Sequence, residues 1–172
     1  MKSIVSMKRI ALFTSFFLVG FTSFSQIGVK LYGYVREVTP GTVPRGTGEN
    51  GENISRAKPQ PTYLVYLSAP SKHPVSAIEM WIKGERFSLR TEPMTQTPVV
   101  VPTNTRKTIT LVAKTSNKVQ QLIAVPFTEG KEFSLAKKKA AANELVVVYR
   151  QNGKYYSATL KKVTQLEPQF NE

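Results

Sequence analysis

The run "ELVVVYRQNGKYYSATLKKV", Glu144 to Val163, decides the fold. Asn152-Gly153 separates two stretches rich in valine, tyrosine and threonine. A two-residue hairpin turn of the I′ type needs positive φ at both positions, and Asn-Gly meets that need at the least steric cost. The segment therefore predicts a β-hairpin.

Working outward, "SLAKKKAAANE" (Ser134 to Glu144) predicts one short helix near 134–143, capped by Ser134 and built from good helix formers. "KTITLVAK" and "KVQQLIAVPF", joined by "TSN", predict a second hairpin around Ser116-Asn117. Val99, Val100 and Val101 sit between Pro98 and Pro102, which suits an edge strand. "VSAIEMWIK" and "ERFSLRT" flank Gly84 as another hairpin, with Ile78, Met80, Ile82, Phe87 and Leu89 expected inward. "TYLVYLSA" (Thr62 to Ala69) is apolar on both faces, as in a sheet centre. "GVKLYGYVREV" (Gly28 to Val38) alternates Val29, Leu31, Gly33 and Val35 against Lys30, Tyr32, Tyr34 and Arg36. Eight or nine strands with one short helix predict an all-β fold: a single antiparallel β-sandwich, immunoglobulin-like, with a small β-barrel as the alternative. "LYGYVREV", the proline-rich stretch after it and "TYLVYL" resemble the carboxypeptidase regulatory-like sandwiches, which implies the same two-layer architecture.

Residues 1–25 carry Lys8 and Arg9, a short apolar run from Ile10 to Phe21, and the small residues Ser23 and Ser25 before Gln26. That order predicts a signal peptide, the run being shorter than the ~20 residues of a membrane span. Residues 26–172 then form one domain of 147 residues with a long Gly/Pro-rich loop at 39–61. The expected location is outside the cytoplasm, first the periplasm, with the outer surface or extracellular space as alternatives. "NGKYYSATLKKV" resembles the end of the C-terminal sorting domains on secreted cargo. Such domains follow a separate passenger, whereas this hairpin is needed to complete the only sandwich.

Cysteine is absent from the chain, as is aspartate, and His73 is the sole histidine. Disulfide scaffolds, thiolate or clustered-histidine zinc sites and aspartate-rich calcium loops are thereby disfavoured, and no cofactor or metal is expected. His73 precedes Pro74 in a loop, a poor setting for a triad base. Gly46, Gly48 and Gly51 have the G-x-G-x-x-G spacing, but they lie well past the strand and no apolar helix follows, so the dinucleotide reading fails. Glu79, Glu85 and Glu92 lie near Trp81 and Phe87. A glycan-active enzyme with a glutamate pair is the minor alternative, and solvated carboxylates are expected instead.

Without Lys2, Lys8 and Arg9 the chain keeps 21 basic and 11 acidic residues, a net of +10. The first expectation is a non-enzymatic, exported cell-envelope protein that binds another envelope protein. Its contacts would come from the loop, with Pro44, Arg45 and Arg56, and from the edge Val99, Val100 and Val101. The alternative is an electrostatic binder of acidic polysaccharide or an anionic lipid surface, through Arg106, Lys107, Lys137, Lys138, Lys139, Lys161 and Lys162. Nucleic acid is not expected, because aromatics are not interleaved with these cations.

Overall fold

The computed structural model describes residues 28–39, 59–104, 107–127 and 134–170. The expected signal peptide, residues 40–58 of the expected loop with Pro44, Arg45 and Arg56, and Arg106 lie outside the described residues.

Two tight turns organise the chain. Asn152 and Gly153 have φ of 49° and 74°, so the I′ turn joins strands β8 (Leu145–Gln151) and β9 (Lys154–Leu160) as the sequence predicts. Lys83 and Gly84, at 50° and 83°, do the same for β3 (Ser76–Ile82) and β4 (Glu85–Pro93). The remaining strands are β1 (Lys30–Thr39), β2 (Gln60–Ala69), β5 (Val99–Pro102), β6 (Thr108–Val112), β7 (Lys118–Pro126), β10 (Thr164–Gln165) and β11 (Gln169–Phe170), and α1 spans Ser134–Ala140. The expected loop is therefore shorter than 39–61, since β1 keeps Thr39 and β2 begins at Gln60. The helix also stops before 143. Asn143 donates to the carbonyl of Lys139 at 2.8 Å and Ala142 N–H to the same carbonyl at 3.1 Å, which tightens and ends the last turn.

The all-β expectation holds. A nine-stranded sheet runs β10-β1-β2-β7-β4-β3-β8-β9, with β11 also on β1, and β5-β6 form a separate ribbon. All the long ladders are antiparallel, while β10 and β11 pair parallel to β1, so the sheet is mixed. It curls around one core of Val65, Leu67, Met80, Leu122, Leu145 and Val147, all at 0–1 % exposure. Full burial of each such side chain is worth about 1.5–3 kcal/mol.

The curl brings β1 against β8 and β9. A methyl group on Gly33 would stand 2.7 Å from Leu145 and 2.9 Å from Leu160, so glycine is required for this close approach. Glu144 fixes the crossing from β9 to β10 through its Oε2, which accepts the Val163 N–H at 2.7 Å.

The convex face is covered in two places. The ribbon packs over β1, β2 and β7 through Tyr66, Val99, Leu111, Val112 and Val119. The helix packs over β3 and β8, with Ala136 and Ala140 on Trp81, Val146 and Val148.

Two sequence expectations are corrected. No hairpin forms at Ser116-Asn117: β6 pairs only with β5, while β7 pairs with β2 and β4. Among the described non-glycine residues positive φ occurs only at Lys83 and Asn152, so Ser-Asn makes no I′ turn. Thr115 instead accepts from the Asn117 N–H at 3.1 Å and redirects the chain to the second layer. Ile78 is not inward but 37 % exposed, because a bulge between Ala77 and Glu79 leaves it unpaired and turns Ala77 to the core.

Candidate functional site

The site begins at the ribbon. Thr103 N–H donates to Lys107 C=O at 2.7 Å, which makes 103–107 a hydrogen-bonded pair. Antiparallel pairs alternate, so 101–109 is bonded too, while Val100 and Pro102 aim their backbone groups away from β6. Val100 thus offers both N–H and C=O to the outer edge of β5, and Pro102 offers only C=O. Side chains follow the same alternation: Val99 is buried, Val101 half-buried, and Val100 48 % exposed. Of the three expected edge valines, Val100 alone presents its side chain outward.

Arg36 reaches this edge from below. It alternates with Val35 on β1 and shares a face with Lys30, Tyr32 and Tyr34, and the ribbon covers it and leaves it 8 % exposed. One guanidinium nitrogen donates to Gln169 Oε1, and the other reaches the Pro102 carbonyl at 3.5 Å, a marginal distance. Its Nε–H is buried and has no acceptor among the described residues. The ion pairs of the described carboxylates are Glu144 with Lys83, Glu79 with Arg86, and Glu92 with Arg90, and none of them involves Arg36. The guanidinium lines a narrow cleft between the Pro102 end of β5 and the segment Glu167–Gln169, with Asn104 and Ile109 also on its wall. Asn104 donates to Pro168 C=O at 2.6 Å and holds that segment in place. Tyr66 lies under the same cover. Burial pushes its hydroxyl above the usual tyrosine pKa and Tyr34 adds to the rise, while the Arg36 charge pulls the other way. Sequence reasoning missed Arg36; the signal that could have found it is its aromatic company, since Tyr32 and Tyr34 share its strand face and two tyrosines there favour cover.

The expected lysine cluster does not come together as one surface. Lys107 stands at the ribbon, over β1 and β2, whereas Lys137, Lys138 and Lys139 stand on α1, over β3 and β8. Lys139 is half-buried and donates to Ser157 Oγ at 2.5 Å. Lys161 and Lys162 are exposed but follow β9 in a bend rather than lying on the strand. The Lys161 carbonyl accepts from Glu144 N–H at 3.3 Å.

The glutamates also separate. Glu85 and Glu92 are exposed as expected, but Glu79 is 2 % exposed, which overturns the solvated reading for that residue. Arg86 donates to its Oε2 from Nε at 2.8 Å and from Nη2 at 2.6 Å, and Trp81 Nε1 donates to Oε1 at 3.0 Å. The guanidinium of Arg86 lies 3.8 Å over the Phe127 ring. Both carboxylate oxygens are satisfied, and Trp81 is buried beneath α1, so it offers no ring on which a sugar could stack. His73 is a loop residue as expected: its N–H donates to Pro70 C=O at 2.9 Å and its carbonyl accepts from Gln151 at 3.2 Å.

No protein-family model matches the chain, and no curated protein or solved structure matches it. The β5 edge and the Arg36 cleft are therefore interpreted on their own chemistry.

Proposed function

We propose that this is an exported, non-enzymatic protein of the cell envelope, and that it binds an extended segment of a partner protein along the outer edge of β5. The observation that carries this reading is the outward-facing N–H and C=O of Val100, beside an exposed valine side chain. Backbone pairs on an open edge supply affinity, and side chains on alternate positions supply specificity. The basic surplus of the chain favours an acidic partner by steering. The N-terminal segment supports export, with the periplasm as the first location.

Amide exchange tests the edge directly. In the free protein the Val100 amide exchanges fast while Val101 and Leu111 are protected. A tagged copy pulled from its native envelope retains a stoichiometric partner through a high-salt wash, and Val100 becomes protected in that complex. A Val100 amide already slow in the free protein would remove the open edge, and with it this reading.

A further inference from the structure

The β5 edge is short. Pro102 lacks an N–H, a bulge lies between Val99 and Val100, and only one residue offers both hydrogen-bonding groups outward. Proline, bulges and brevity are the devices by which proteins blunt an edge against unselected pairing. A partner strand held by one such pair needs a second anchor, and the cleft at the Pro102 end contains one.

We infer that the Arg36 cleft is a carboxylate-recognition site, and that it takes an aspartate or glutamate side chain from the partner strand that pairs at Val100. This inference rests on the partner-strand reading above. Its own grounds are separate. A guanidinium carries five N–H donors in a planar fork suited to a carboxylate. At Arg36 the neighbours are neutral acceptors, Gln169 Oε1 and a distant Pro102 carbonyl, and Nε–H is left over. Removing a cation from water without a counter-ion is costly, so a buried arginine ordinarily has one. The cleft is too narrow for a sugar ring and is partly open to solvent. It opens at the residue where the outward ladder of β5 ends, so one extended segment can meet both Val100 and Arg36. Glu167 is exposed on the same wall and makes no ion pair with Arg36, and its charge works against an incoming anion.

The test uses the purified protein and two kinds of probe. Sodium acetate is titrated at constant ionic strength against sodium chloride, with the Arg36 Nε–H and Gln169 side-chain amide signals followed by NMR. Acetate produces a saturable shift that chloride does not, Arg36→Gln abolishes it, and Glu167→Gln tightens it several-fold. Peptides of β-forming sequence carrying one glutamate, or glutamine in its place, are then compared. The glutamate peptide binds about tenfold more tightly, equivalent to about 1.4 kcal/mol. Arg36→Gln erases that difference, and Val100→Pro, checked for an unchanged melting temperature, weakens both peptides while leaving the acetate shift intact.

Equal binding of both peptides with sensitivity to Val100→Pro would overturn the carboxylate site and leave the strand reading standing. An acetate shift without binding of either peptide would refute the strand reading and keep the anion chemistry. A soluble polyuronate that binds through Arg36 where peptides do not would overturn the choice of partner. Acetate shifts that persist in Arg36→Gln would overturn the site itself.

Discussion

Gly33→Ala tests whether the curled sheet closes as described. The added methyl would lie 2.7 Å from Leu145 Cδ2, 2.9 Å from Leu160 Cδ1 and 3.2 Å from Val163 Cγ1. Leu160 and Val163 are half-buried and can move, but Leu145 is at 0 % exposure and has nowhere to go. Overpacking of this kind costs about 1–3 kcal/mol. Against that, alanine relieves the entropic penalty of a strand glycine by about 0.5–1 kcal/mol. The net expectation is a loss of about 1–2 kcal/mol, or about 2–8 °C in Tm for a chain of this size. Calorimetry and urea titration measure it. Leu160→Ala opens space beside the new methyl, so the double variant should lose less than the two single losses combined, with a coupling of about 1 kcal/mol. A neutral or stabilised Gly33→Ala, or strict additivity with Leu160→Ala, would show that β1 does not meet β8 and β9 and that the sheet is open.

Glu79→Gln removes the counter-charge of the partly buried Arg86 and should cost up to about 3–5 kcal/mol in urea unfolding, whereas Glu79→Met combined with Arg86→Met should recover most of it. Equal losses for the single and double variants would refute the ion-pair account. Asn152→Ala forces alanine to φ near 49° and should cost about 1 kcal/mol by the same assay, with no effect refuting the I′ turn. Burial raises the hydroxyl pKa values of Tyr34, Tyr66 and Tyr149, so the folded chain keeps these protons to higher pH than the unfolded one. Their contribution is complete below about pH 10 and is lost as pH rises through the folded values, at up to about 1.4 kcal/mol per pH unit for each tyrosine. Denaturant midpoints across this range should fall, less steeply in Tyr149→Phe. Phenolate absorbance that rises without any fall in midpoint would contradict this.

The parts legible in the sequence were those set by local chemistry. Asn152-Gly153 and the Gly84 turn dictate their own φ values, and β2 announces a central strand by being apolar on both faces. The parts that stayed hidden depend on what lies above the sheet. Arg36 and Glu79 occupy outward positions of alternating strands, and alternation marks such positions as solvent-facing only if nothing covers them. The ribbon covers Arg36 and the helix side covers Glu79. Ribbon formation was hidden in turn, because "TSN" resembles a hairpin turn when Thr115 in fact redirects β7 to another layer. The bulge at Ile78 has no local signature in "SAIEM".

The two covered arginines of the convex face, Arg36 buried and Arg86 partly buried, show why Arg36 is better explained by a ligand than by packing. At Arg86 the fold surrounds the charge with what burial demands: a bidentate carboxylate oxygen, a tryptophan to hold that carboxylate, and an aromatic ring beneath. This chain therefore neutralises an arginine fully where the role is structural. At Arg36, under closer cover, it supplies an amide oxygen and a long contact to a carbonyl. A position selected for stability alone would carry an apolar side chain there, since replacing a poorly compensated buried charge by a hydrophobe of similar length is neutral or stabilising. Arg36→Met should thus leave the melting temperature unchanged or raise it, while Arg86→Met lowers it. The same Arg36→Met should lose the acetate response, which is the trade of stability for function expected of a binding residue. A marked drop in Tm for Arg36→Met would mean that its charge is already satisfied within the chain, and the cleft would then be structural.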